Sequence, residues 1–315
     1  MRVMVVGASG AIGTRLVPQL TRRGHEVIGT FRSPGKAERI EALNAQPVAL
    51  DLLDPKAVRT AVLETQPDAI IHEATALANS GMSRSLDKTF AGTNRLRTEG
   101  TDNLLAAARE AGVQRLVAQS FAPYRYIREG GLVKTEDDPL DPNPPKSARQ
   151  TFAAMTYVDQ AFLGAGGVVL RYGGFYGAPD QMSKAVSKRQ YPIIGKGTGI
   201  TPFIHLDDAA SATVLALEHD GPAVYNITDD ESAPMSEWLP ALASALSAKR
   251  PFRVPSWVGS LIMGAEMVKM SSESRGASNA KAKEELGWTL RYPSWRQGFP
   301  ASYGQRGTTP VKAAI

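Results

Sequence analysis

Cysteine is absent from this 315-residue chain. That excludes disulfides, thiolate metal ligands and a cysteine nucleophile, and it fits a reducing compartment, so the cytoplasm is the expected location. No apolar run approaches the roughly 18 residues of a membrane span. The N-terminus MRVMVVGASG carries one charged side chain and then turns glycine-rich, unlike the apolar core and cleavage site of a secretory signal. No membrane partner is expected. Histidine is scarce: His25, His72, His205 and His219 stand far apart, without metal-ligand spacing, so no metal is expected. Lys plus Arg is 36 against 31 for Asp plus Glu, but the positive residues are scattered, and only KAVSKRQYPIIGK is locally basic. That reads as a solvated face rather than a nucleic-acid site, while the net charge of +5 suits a small phosphorylated ligand.

What is present is globular in composition, 43% hydrophobic and 21% charged, and long enough for one large α/β domain or a large domain with a smaller one. RVMVV, residues 2–6, is almost continuously apolar, as a strand covered on both faces would be. GASGAIG follows, and then Ile12, Leu16 and Leu20 recur at a spacing of four, which predicts a helix to about Arg23, stopped by Gly24. HEVIGTF, PVAL, DAIIHEA and VQRLVAQS read as further strands, separated by helices over 55–65 and in GTDNLLAAAREAG. Five strands with helices between them predict a Rossmann-type, doubly wound parallel α/β sheet. Residues 128–147, with four prolines and a cluster of acids, read as an ordered loop or lid. A helix from about Ala148 to Leu163 leads into GVVLRYGGFYG, a buried strand and glycine-rich turn. Beyond Ala178 the alternation is lost. Short strands, AVYNIT among them, and helices from near Asp207 and Ser236 predict a smaller, mostly helical C-terminal lobe. The expected units are 1–177, 178–302 and a mobile tail over 303–315.

GASGAIG sets Gly7, Gly10 and Gly13, with Ser9, Ala11 and Ile12 beside them, between a strand and a helix. Without side chains the backbone can turn sharply and approach a pyrophosphate, whose charge the free N–H groups and dipole of the helix start attract. In this position the loop predicts a bound dinucleotide. An acid about 20 residues further on commonly holds the ribose 2′-hydroxyl, but here Phe31 and Arg32 stand in its place. Arg32, with Lys36, would pair with a 2′-phosphate that an acid would repel, so NADP(H) is favoured over NAD(H).

With these features the chain resembles the short-chain dehydrogenase/reductase superfamily, in its extended, epimerase/dehydratase-like branch. GASGAIG, ALDLLD, PDAIIHEA, GTDNLLAAAREAGVQRLV, the serine of AQSFAPY, LRYGGFYGAP, FIHLDDAA, VYNITDD and KAKEELGW carry the likeness in order, over most of residues 1–300. The resemblance implies that Asp51 and Leu52 border the adenine and that Ala74 and Thr75 lie along the cofactor. It implies that Tyr172, Gly173 and Phe175 approach the nicotinamide, and that Ser120 hydrogen-bonds the reacting oxygen. It further implies a substrate lobe for a small molecule, and a homodimer formed through helices of the first domain. The run His205, Asp207, Asp208 reads as a helix entry with Asp207 as its N-cap.

The family's chemistry rests on a tyrosine with a lysine four residues later, the lysine's charge lowering the phenol's pKa. None of the nine tyrosines here has lysine at that spacing. With Asp159 as the acid that ends the family's helix, the tyrosine position falls on Thr151 and the lysine position on Met155. Tyr157 then lies off the reacting face and is expected to pack or meet solvent. Tyr124, followed by Tyr126 and Arg128, is the candidate substitute beside Ser120. Arg97 stands where the family often has asparagine; it either meets an acidic substrate or caps a network. The expected activity is NAD(P)(H)-dependent hydride transfer between a carbonyl and an alcohol with a non-standard proton donor. Epimerisation or dehydration of a sugar-like substrate, or a non-catalytic NADP(H) sensor, are the alternatives.

Overall fold

The computed structural model describes residues 1–33, 35–77 and 85–304. Seven strands form the main sheet: β1 (Arg2–Val6), β2 (Glu26–Phe31), β3 (Gln46–Ala49), β4 (Ala69–His72), β5 (Arg115–Phe121), β6 (Val168–Tyr172) and β7 (Ala223–Ile227). Their order is β7-β6-β5-β4-β1-β2-β3, and every neighbouring pair is parallel. The chain runs outward one way from β1 to β3 and the other way from β4 to β7. The crevice over the ends of β1 and β4 is therefore the switch point at which such sheets bind ligands.

The unbroken apolar character of β1 follows from burial on both faces. Val3 and Val5 pack against Leu16 and Leu20 of α1 (Gly13–Arg22), while Met4 and Val6 face the opposite core with Val58 and Val62 of α2 (Pro55–Thr65). Asp54 starts α2 by accepting from Lys56 N and Ala57 N at 2.9 and 3.1 Å, with Pro55 at the first position. Further along, α3 (Ala91–Arg95) continues through a π-helical turn, Leu96–Gly100, into α4 (Thr101–Ala111), which ends on left-handed Gly112. The helix α5 (Arg149–Gly164) packs against the π turn and β5.

The structure departs from the expected boundary at 177. Helix α6 (Leu206–Glu218) packs on α1, and AVYNI is β7, paired with β6, so the chain returns to the first domain. Length alone concealed this: a five-residue, mostly apolar segment suits an edge of the main sheet as well as a lobe. The smaller lobe proper has a core of Phe203, Trp238, Trp295 and Phe299, with α7 (Met235–Ala245), α8 (Ser256–Met263), α9 (Ala265–Glu273) and α10 (Trp295–Tyr303). Tyr303 closes α10 and so is not part of a tail; residues 305–315 lie outside the described residues. The N-cap of α6 is His205, whose Nδ1 accepts from Asp207 N at 3.0 Å, and Asp207 sits inside the first turn rather than capping it. Segment 128–147 is tied down by Val133–Lys134 pairing with Gly276–Ala277 and by Glu136, which accepts from Asn226 N at 2.6 Å. Among the described residues no helix is long and apolar enough to cross a membrane.

Candidate active site

A cavity of about 210 Å³ opens over the ends of β1 and β4, lined by Gly7, Gly10, Arg32, Asp51, Leu52, Ala74 and Thr75 among others. Its floor requires glycine. Gly7 has φ +94°, and a Cβ there would lie 2.9 Å from Ala74 N. Ile12 precedes α1 without any side-chain cap; Thr14 N and Arg15 N bond the carbonyls of Gly10 and Ile12, which leaves the Gly13 N–H at the helix start for an anion. Arg32 is exposed at the rim and makes no ion pair or hydrogen bond with another described residue. Lys36 precedes a short helix, Ala37–Glu41, and does not line the cavity; Ser9, Ala11, Ile12 and Gly13 form the loop and helix start beyond its wall.

One wall residue was not foreseen. Glu73, 6% exposed, lies just past β4, and its only signal in the sequence is an acid closing an apolar strand. Burial pushes its carboxyl up to about 8, against which the Tyr172 hydroxyl pulls down. The Thr213 hydroxyl bonds the Ala209 carbonyl at 2.8 Å, and the Tyr172 hydroxyl lies 2.6 Å from Thr213 Oγ1 and 2.8 Å from Glu73 Oε1. The Tyr172 hydroxyl is the donor to Glu73. Tyr172, expected near the nicotinamide, is thus fully buried in this chain of contacts, with Phe175 against its ring at 5.3 Å. Gly173 lies hard against the next segment, where a Cβ would be 2.8 Å from the Phe203 carbonyl carbon.

Farther along the sheet ends, Thr151 Oγ1 donates to Asp87 at 2.8 Å and accepts from Asn94 Nδ2 at 3.1 Å. One turn on, Met155 is 3% exposed in an apolar cluster with Phe152 and Met270, against which Phe121, Tyr124 and Met267 pack. Another turn on, Asp159 Oδ2 accepts from Arg125 Nη1 at 2.9 Å and from Arg171 Nε at 3.1 Å. Ser120 is fully buried, and its Oγ accepts from Arg125 at 2.9 Å. Tyr157 is 39% exposed and bonds Asp102 on the outer face of α5, away from this cluster. Tyr124 adopts φ +66°, an uncommon backbone for a bulky residue, and burial raises its phenol. Arg128 does not support it, being paired with Asp141 at 2.9 Å and Glu273 at 3.6 Å.

The sequence pattern of the NAD dependent epimerase/dehydratase family matches residues 3–228. The chain belongs to that family. A 3-diazoavenalumate denitrifying reductase of a Streptomyces species is 38% identical over 95% of this chain and 99% of that one. A solved UDP-glucose 4-epimerase of Thermotoga maritima, with UDP-glucose, has a TM-score of 0.77 at 20% identity, over 96% of this chain and 97% of that one. The Thermus thermophilus UDP-glucose 4-epimerase, solved with NAD, has a TM-score of 0.72 at 25% identity, over 96% and 98%. This places the protein in the extended short-chain dehydrogenase branch, among nicotinamide-dependent oxidoreductases and epimerases. For a member of this family the glycine loop, Arg32, Asp51 and Ala74 are assembled around one crevice. A dinucleotide's pyrophosphate fits it: the glycines leave room and the uncapped helix start offers a donor. Bound there, the nicotinamide would supply or accept hydride.

Proposed function

We propose that the protein is an NADPH-dependent reductase that gives hydride to a substrate needing no proton from the enzyme, an aryl diazo compound that leaves as arene and dinitrogen. The observation that carries this reading is the level of Thr151 and Met155. A hydroxyl already spent on Asp87 and a thioether have taken the two places where carbonyl chemistry wants a phenol and an ammonium. Reducing a carbonyl produces an alkoxide that must be protonated. An aryl diazonium is different: the hydride pair forms the C–H bond, the C–N bonding pair departs with dinitrogen, and the charges cancel with no proton taken up. The 38% identity to a denitrifying reductase of a diazo compound supports this substrate class. So does the apolar, sulfur- and aromatic-rich cluster around Met155, which suits a flat hydrocarbon ring better than a sugar. The unpaired Arg32 at the cavity rim supports a 2′-phosphate.

The test uses NADPH deuterated at the transferring carbon with a diazo-arene carboxylate. Deuterium is expected at the former diazo carbon, with one dinitrogen released per NADPH oxidised and a rate nearly flat from about pH 6 to 8, since no side chain must gain or lose a proton. Arg32→Asp is expected to weaken NADPH about tenfold or more while leaving NADH unchanged. Hydrogen from solvent at that carbon, or turnover confined to carbonyl substrates, would overturn the reading.

A further inference from the structure

Arg97 is a buried cation without a partner. It is 6% exposed, forms no hydrogen bond, and has no carboxylate within 4.0 Å among the described residues. Burial, and then the neighbouring Arg125, push its guanidinium down to about 10. The one anion nearby is Asp159, and its Oδ2 is already shared by Arg125 and Arg171. Three guanidiniums thus face a single buried carboxylate, an arrangement that is costly unless a further anion joins it. Nor is Arg97 sealed: its nitrogens are not among the fully enclosed unpartnered atoms, whereas Asp159 Oδ1 is. A capping role is ruled out by the missing hydrogen bonds.

Its placement has a local cause. Arg97 lies in the π-helical turn Leu96–Gly100, an insertion that re-aims side chains and that collects at functional sites. Just before it, Asn94 reaches Thr151, and just beyond, the charge of Arg97 is felt by Asp159. Thr151 and Asp159 flank Met155 on α5, and the π turn packs against that helix, so Arg97 comes from a neighbouring helix alongside the place where a lysine would have stood on α5 itself.

We propose that Arg97, backed by Arg125, binds an anionic oxygen of the substrate beside the apolar cluster of Met155, either a carboxylate or a ring phenolate. The proposal takes from the hydride-transfer reading only the location of the site. An oxyanion there neutralises the excess charge and fixes the ring against Phe121 and Met155. Its binding can be measured without turnover, so failure of one idea leaves the other standing.

The experiment titrates the full chain, saturated with NADP⁺, with benzoate and 4-nitrophenolate and with their neutral counterparts benzamide and 4-nitroanisole. One charged probe is expected to exceed its neutral counterpart by about ten- to a hundredfold, the range of a charge-assisted hydrogen bond, and which one does so identifies the oxygen. Arg97→Met is expected to erase that preference and Arg97→Lys to restore part of it, with NADPH affinity unchanged. Arg97→Met is also expected to raise Tm, because it removes an unpaired buried charge, whereas a structural arginine would lower it. Equal binding of charged and neutral probes by the native protein would overturn the proposal. So would a joint loss of Tm and NADPH affinity in Arg97→Met.

Discussion

His72 ends β4 and Glu73 follows it, and the two respond oppositely to the same burial. The imidazole is pushed down to about 4 and the carboxyl up to about 8, so both are neutral at neutral pH. Neutrality at Glu73 has a use: an ionised carboxylate on the cavity wall would repel a pyrophosphate. Because the folded protein holds the Glu73 proton more tightly than the unfolded chain, its contribution to stability declines as pH rises from about 4.5 to about 8, then levels off. NADPH affinity is expected to weaken above pH 8, by at most about tenfold per pH unit. Glu73→Gln keeps the contact with Tyr172 and removes the charge. It should flatten both profiles, which fluorescence titration and thermal melts at pH 6, 7, 8 and 9 would measure; an unchanged slope in the variant would reassign the effect to another group. Nothing in the sequence around Glu73 announced this. Its character comes from Tyr172 and Thr213, 99 and 140 positions later, brought to it by β6 and α6.

At the scale of elements, the helix that joins α3 to α4 was readable and its irregularity was not. The apolar spacing of Leu104, Leu105, Ala108 and Ala111 gives the helix and Gly112 its end, but no composition marks a π turn. That turn holds Arg97 toward α5, and it can be removed. Glu99 is exposed and, among the described residues, its side chain bonds Arg95 alone, a surface pair that contributes little. Deleting it restores α-helical spacing and rotates the segment before it by about 100° relative to α4. The helix and NADPH binding should survive, by circular dichroism and titration, while the preference for a charged over a neutral benzoate-type probe disappears. Persistence of that preference would mean that the π turn is not what aims Arg97. The same contrast runs through the whole site: the glycine loop, Asp51 and Ala74 were legible because they act through backbone and sequence-local geometry. The arginine cluster was not, because Arg97, Arg125, Asp159 and Arg171 come from four separate segments of the chain.

For the molecule as a whole, the instructive departure is the return of the chain to its first domain. Helix α6 and strand β7 close one side of the sheet with Leu206, Val214, Leu217, Tyr225 and Ile227, all at most 3% exposed. At about 2 kcal/mol for each large side chain buried, they contribute about 10 kcal/mol, as much as a whole domain's net stability of roughly 5–15 kcal/mol. The same helix brings Thr213 to Tyr172, and β7 brings Asn226 to Tyr126, whose hydroxyls meet at 2.6 Å from their partners. Residues 1–177 alone, which hold the entire cofactor cradle, are therefore expected not to fold, leaving Leu170 and Tyr172 of β6 uncovered. A chain ending at residue 228 should recover a cooperative melt and NADPH binding, since it restores the sheet to seven strands. Expressing both fragments and comparing near-ultraviolet circular dichroism and NADPH titration decides the matter. If residues 1–177 melted cooperatively and bound NADPH, the sheet would be stable without β7, and the second half of the chain would contribute only to the substrate side.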